Sequence, residues 1–178
     1  KAIRFYNEAI AYSSELSYFQ ALAAIYIRQD QSEEAVKIIV HALGLTKLSA
    51  QEKFELHKSA GNCYSRTEEF EKAEYHYRLA FDLNPESDAL QVNVGSLALQ
   101  QKALQAAQKH FEAALELNPL NDKAYHGLGM LFQERKELMK AYSCFVKSLS
   151  INVDNLSAIL SLTKCAYELQ KYDDAERL

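Results

Sequence analysis

Only five glycines and two prolines punctuate the 178 residues. That is too few for the tight turns on which sandwiches, barrels and βα units depend, so the chain reads as helical. Tryptophan is missing, and cysteine occurs three times, an odd number with no CxxC spacing, which leaves neither a disulfide framework nor a zinc knuckle. No run of about 18 uncharged apolar residues exists, so no segment reads as membrane-spanning. The first residues, KAIRFYNEAIAYSSE, place Arg4, Asn7 and Glu8 where a secretory signal needs its apolar core, and a cytoplasmic protein is expected. Basic charge is not in excess: 20 Lys and Arg face 24 Asp and Glu, a net −4 at pH 7, so the bulk footprint of a nucleic-acid binder is lacking. What is present, 48% apolar and 25% charged residues, is the composition of a packed protein rather than a disordered one.

The few breakers are periodic. Gly61, Gly95 and Gly129 are spaced 34 residues apart, as are Pro85 and Pro119. A fixed period of this size marks a repeat array. Other columns fall on the same lattice. A small-residue column holds Ala35, Ala73, Ala107, Ala141 and Ala175, and an aromatic or branched one holds Ile39, Tyr77, Phe111 and Phe145. Ala42, Ala80, Ala114 and Ser148 follow, then FDLNP, LELNP and the degraded LSINV.

Within a row the apolar residues recur every three or four positions, as in Leu90, Val94, Leu97 and Ala98, and again in Ala107, Phe111, Ala114 and Leu115. Each row is therefore helix, turn, helix. The Ala and Gly columns mark close approach of helix backbones, and the aromatics fill the gaps between repeats. Asn-Pro closes the second helix, because Pro lacks the N–H and disfavours helical geometry at the preceding residue. Val153 replaces that Pro in one row, where a weaker stop is expected. Acids gather at second-helix starts, as in Glu68, Glu69 and Glu71 or Asp173 and Asp174, where the helix dipole favours them.

These columns resemble the tetratricopeptide repeat (TPR) family, whose unit is a 34-residue helix–turn–helix. The resemblance covers nearly the whole chain and implies an all-α fold, a right-handed α-solenoid of antiparallel helix pairs forming a TPR superhelix. One array over 1–178 is laid out as the second helix of a partial repeat (1–15), full repeats at 16–53, 54–87, 88–121 and 122–155, and a partial repeat at 156–178 that stops inside its second helix. The first full repeat carries about four extra residues around GLTKLSAQEK, read as a long loop or an extended second helix. No polar capping helix is recognisable at either end, as expected of a piece cut from a longer array. No Trp stands at the family's usual aromatic position near the repeat start, which holds Phe19, His57, Gln91, Tyr125 and Ile159, so uneven packing is expected there.

The resemblance further implies a non-enzymatic scaffold that holds a linear peptide or helical segment of a partner protein against its first helices. The groove positions include Lys58, Asn62 and Arg66, then Val92, Asn93, Ser96 and Leu99, then Lys123, His126 and Met130. Over all the groove columns the basic residues Arg28, Lys58, Arg66, Lys123 and Lys164 face the acidic Glu55, Glu134 and Glu168. A mildly basic, partly apolar groove follows, suited to an acidic or carboxylate-ended peptide. Some family members clamp the carboxylate of a chaperone's C-terminal tail with two Lys, two Asn and an Arg. Lys58, Asn62, Asn93 and Lys123 match four of those positions, and Gly127 stands where the Arg belongs. Such a carboxylate clamp, a groove for another peptide, and a structural solenoid that self-associates or assembles through its ends or outer face all stay open.

No catalytic, metal or cofactor site is expected. His76, His110 and Cys144 share a second-helix column, but successive repeats stand about a helix diameter apart, too far for ligation at about 2 Å per bond. Cys63 and Cys165 read as small packing residues. The histidines show no HExxH spacing, the glycines form no phosphate loop, and the sequon Asn155-Leu156-Ser157 carries little weight without a signal.

Overall fold

The computed structural model describes residues 2–45 and 47–176, with side chains as far as Gln170. The described residues form ten α-helices and no strand. They are α1 (Ala2–Tyr12), α2 (Leu16–Arg28), α3 (Ser32–Leu43), α4 (Ala50–Arg66), α5 (Phe70–Leu83), α6 (Asp88–Gln100), α7 (Leu104–Leu117), α8 (Asp122–Glu134), α9 (Leu138–Ile151) and α10 (Leu156–Glu176). They cluster into two compact units, residues 1–86 and 87–178, a division of which the 34-residue lattice gives no sign.

The turn inside each pair is built the same way four times. Asp30, Glu68, Lys102 and Lys136 occupy one column and all have φ between 59° and 63°. The N–H of the next residue then reaches back five residues, as in Glu137 N to Phe132 O at 2.9 Å and Ala103 N to Ala98 O at 2.8 Å. This is the Schellman geometry that glycine normally serves. Here a side-chain-bearing residue adopts it, at a cost of about 1 kcal/mol or more each. Lys136→Gly is therefore expected to raise the stability of the second unit by up to about 1 kcal/mol, read as a higher urea midpoint.

From α4 onward the first helices start on side-chain caps, whereas Glu15 before α2 makes none. Ser87 Oγ accepts from Leu90 N, Asn121 Oδ1 from Ala124 N, and Asn155 Oδ1 from Ala158 N, at 3.2, 2.9 and 3.0 Å. In the first unit Ser49 and Glu52 form a reciprocal capping box, and Ser49 holds the Glu52 carboxyl below its usual range. That box answers where the four extra residues go. They lengthen the start of α4, which begins at Ala50 rather than Phe54, and α3 is not extended, since it stops at Leu43.

The second helices α5, α7 and α9 end at Asn rather than at Pro. α9 stops at Ile151 beside Val153, with Asn152 at φ −136° and ψ 96°. Asn118, which precedes a Pro, has φ −143° and ψ 94°. The expected weaker stop is absent because the Asn side chain makes the turn: Asn152 Oδ1 accepts from Asp154 N, as Asn118 Oδ1 does from Leu120 N. The other end of each amide is also used. Asn118 and Asn121 both donate to Asp88 Oδ2, and Asn152 and Asn155 both donate to Asp122 Oδ2. The last helix departs from expectation in another way: α10 runs unbroken to Glu176. The side chains of Asp173, Asp174 and Ala175 lie outside the described residues.

The glycine column packs against rings rather than backbones. A Cβ on Gly61 would stand 2.4 Å from Tyr77, and one on Gly129 would stand 2.4 Å from Phe145. Phe111 is held between two glycines, Gly95 of its own pair and Gly127 of the next. Phe111 and Phe145 are fully buried, as are the alanines Ala107, Ala114 and Ala141. In the first unit Phe19, Ala35, Ile39, Ala60 and Cys63 form the corresponding core. Cys63 and Cys165 are buried, and burial pushes both thiols up, as befits packing residues.

The shared column of His76, His110 and Cys144 does not assemble. His76 faces His57 of its own pair, Nδ1 to Nδ1 at 3.0 Å, and His110 Nδ1 meets Gln91 Oε1 at 2.8 Å. No group of three or more potential metal ligands occurs among the described residues.

A candidate peptide-binding groove

In the second unit, α6, α8 and the start of α10 frame a depression of about 690 Å³. Its floor is apolar. Val92 and Leu99 of α6 are buried there beside Phe111 and Gly127. Met130 and Leu156 stand on its walls with 42% and 72% of their surface exposed. This is the mixture a peptide site needs, with apolar area for side chains and a few polar groups for register.

The polar groups of its lining include Asn93, Ser96, Lys123 and His126. Ser96 Oγ donates back to Val92 O at 2.9 Å, so its hydroxyl is partly spent on its own helix. His126 Nε2 lies 3.0 Å from Ser161 Oγ, which joins α8 to α10 along one wall. Burial holds the His126 ring below the usual histidine range, so it is neutral at pH 7. Lys102 is tied to Glu134 at 2.8 Å. Lys123 is exposed and has no carboxylate partner among the described residues, which leaves it as the groove's available ammonium.

Seven of the ten candidate groove residues thus meet in one depression: Val92, Asn93, Ser96, Leu99, Lys123, His126 and Met130. The other three belong to the first unit and are engaged there. Lys58 pairs with Glu55 at 2.7 Å and its Nζ lies 4.9 Å from the Phe54 ring centre. Asn62 Oδ1 accepts from the Tyr77 hydroxyl at 2.7 Å, a contact within its own pair. Arg66 is paired with Asp30. The expected positive balance is also not carried by this depression, whose lining holds Lys102 and Lys123 against Asp122, Glu134 and Asp154. The count over helical columns missed Asp122 and Asp154, which enter from a helix start and a loop.

The fifth clamp position has a physical explanation. A Cβ on Gly127 would lie 2.4 Å from Phe111 Cε1, so the backbone there is glycine for the ring's sake and no arginine fits without displacing it. Sequence columns alone could not show this, because Gly127 lies off the glycine period and its partner sits 16 residues earlier on another helix.

Stacked helix pairs on a 34-residue lattice, with a groove along the first helices, define a helical-repeat protein. Tetratricopeptide repeat models match residues 89–119 and 110–142, so this part of the chain is built of tetratricopeptide repeats, and the ten described helices fit the all-α solenoid fold of that class. Among curated proteins no sequence matches it. Solved structures share the fold at low identity. One is YrrB, described as a TPR protein with an unusual peptide-binding site: 20% identity over 89% of this chain and 80% of that one, TM-score 0.63. Another is PilF of Pseudomonas aeruginosa, with 22% identity over 91% and 72% and a TM-score of 0.70. A third is the first TPR of Spaghetti (RPAP3) bound to the HSP90 peptide SRMEEVD, with 24% identity over 71% and 99% and a TM-score of 0.60. Tetratricopeptide repeat proteins are generally non-enzymatic protein-interaction scaffolds. No helix among the described residues is long and apolar enough to cross a membrane.

Proposed function

We propose that the chain is a cytoplasmic, non-enzymatic scaffold whose second unit holds a linear segment of a partner protein in the groove of α6, α8 and α10. The observation that carries this reading is the convergence of buried Val92 and Leu99, exposed Met130 and the free Lys123 ammonium on one depression. Lys123 suits a carboxylate on the bound segment, an Asp or Glu side chain or a chain end, through a charge-assisted hydrogen bond. Asn93 adds an amide that can meet a peptide backbone. The five-membered carboxylate clamp is the less favoured form of this reading, since Gly127 lacks the arginine and Lys58 and Asn62 are engaged within their own unit.

A pull-down with the 178-residue chain, repeated with Lys123→Glu and with Lys58→Glu, tests the reading. Lys123→Glu should lower partner capture at least tenfold, since it removes a hydrogen-bonding cation and adds a like charge. Lys58→Glu should change it by less than threefold. Both variants should keep the wild-type helical circular dichroism. Undiminished capture by Lys123→Glu would sink the proposal.

A further inference from the structure

A different surface separates the fourth full repeat from its neighbours. Three second-helix columns carry Glu71, Glu74 and Arg78 in α5, and Gln105, Gln108 and Glu112 in α7. In α9 the same columns carry Met139, Tyr142 and Val146, which are 70%, 38% and 42% exposed. They lie at spacings of three and four, on one stripe of the helix opposite the buried Ala141, Phe145 and Ser148. The stripe is not simply a seat for a further repeat. In α7, where the next pair packs in the same unit, Gln105 and Glu112 stay exposed, while Gln108 accepts from Arg135 and donates to Glu112, both at 2.7 Å.

The surroundings say what the stripe suits. Lys140 and Lys147, seven residues apart, form a parallel basic row on one flank, with Ser143 between the row and the apolar stripe. Glu137 is the carboxylate at this end of α9 and is bound to Lys140. At the start of the helix Leu138, Met139 and Leu169 form the apolar part of a depression of about 340 Å³ that Lys136, Glu137 and Lys140 also line, room for one large side chain. An apolar stripe, a basic row beside it and a small apolar pocket at one end match an amphipathic helix with an acidic flank. A second copy of this chain matches less well, since antiparallel self-pairing of α9 would bring the lysine rows together.

We propose that the outward face of α9 docks an acidic amphipathic helix of another protein, independently of the groove. The stripe supplies the apolar contact, the pocket beside Leu169 anchors one side chain, and Lys136, Lys140 and Lys147 select acidic flanks.

The test uses the 178-residue chain and three synthetic helical peptides with leucines at i, i+3, i+4 and i+7, flanked by Glu, Gln or Lys. Fluorescence anisotropy should give tightest binding to the Glu peptide, at least tenfold weaker binding to the Lys peptide, and Gln between them. Met139→Glu with Val146→Glu, both on exposed positions, should lower affinity for the Glu peptide at least tenfold, whereas Lys123→Glu in the groove should not change it. The proposal is overturned by absence of binding to the Glu peptide, by no preference among the three, or by loss of binding with Lys123→Glu alone. It is equally overturned if α9 serves another occupant. Mass rising with concentration and suppressed by Met139→Glu would show self-association, and α9-dependent binding to phosphatidylserine vesicles but not to the Glu peptide would show a membrane.

Discussion

Gly127→Arg, the change that would complete the five-residue carboxylate clamp on paper, is expected to destabilise the second unit by at least about 3 kcal/mol and to gain no affinity for a carboxylate peptide. The added Cβ would meet Phe111 Cε1 at 2.4 Å and Cζ at 2.5 Å. The ring has little room to retreat, because it is fully buried and a Cβ on Gly95 would also stand 2.8 Å from its Cε1. Phe111 is fully buried, so the collision propagates into packed core. Overpacking of this kind costs about 1–3 kcal/mol, and the longer arginine side chain, which must displace Phe111 to reach the depression, adds to that cost. Gly127→Ala keeps the steric part and should cost about 1–3 kcal/mol. Urea unfolding checks both, and the peptide titration checks the affinity. A stable Gly127→Arg variant with a new carboxylate site would show that the ring is not the reason for the glycine.

The second large effect is acid destabilisation of the first unit. His57 and His76 share one hydrogen bond, Nδ1 to Nδ1 at 3.0 Å, so at least one ring must be neutral. Burial, with the His57 charge beside it, holds His76 down to about 4. Burial also lowers His57, with Lys53 adding to the effect. Tyr64 stacks on the His76 ring and helps keep water away. The folded value lies below the unfolded one of about 6.5, so the unfolded chain binds more protons between these values and stability falls as pH drops through them. From pH 7 to pH 5 the loss from His76 is about 2 kcal/mol, with His57 acting in the same direction. The neighbouring repeat supplies the control: Gln91 meets His110 at 2.8 Å in the same two columns. His57→Gln reproduces that pair, removes one titrating ring and the second ring's charge from its neighbour, and should flatten the pH dependence of the urea midpoint by about half. An unchanged pH slope would mean the pair does not carry it.

The sequence made the architecture legible because a repeat writes the same physics several times. Helix starts, the Ala columns and the aromatic columns follow from periodicity, and the helices fall near where the 34-residue lattice puts them, except that α4 starts early, at Ala50, and α10 runs unbroken to Glu176. What the lattice hid were interactions that differ from row to row. Val153 looked like a missing stop, yet Asn152 ends α9 through its side chain. The left-handed turn residues Asp30, Glu68, Lys102 and Lys136 carry no glycine signal. The candidate site was half legible. Columns placed Val92, Asn93, Ser96, Leu99, Lys123, His126 and Met130 together, but could not say that Lys58, Asn62 and Arg66 already hold partners. Nor could they say that Gly127 answers to Phe111. The outward stripe on α9 was readable as letters, Met139, Tyr142 and Val146, and gained meaning only when the equivalent Gln105 and Glu112 were seen to stay exposed.

The groove is tested most directly by amide chemical-shift mapping of the labelled chain, titrated with a short acidic peptide that carries apolar side chains and a free C-terminal carboxylate. The account predicts saturable shifts at Asn93, Ser96, Lys123, Met130 and Leu156, abolished by Lys123→Glu. Saturable shifts confined to α7 and α9, or none at all, would contradict it.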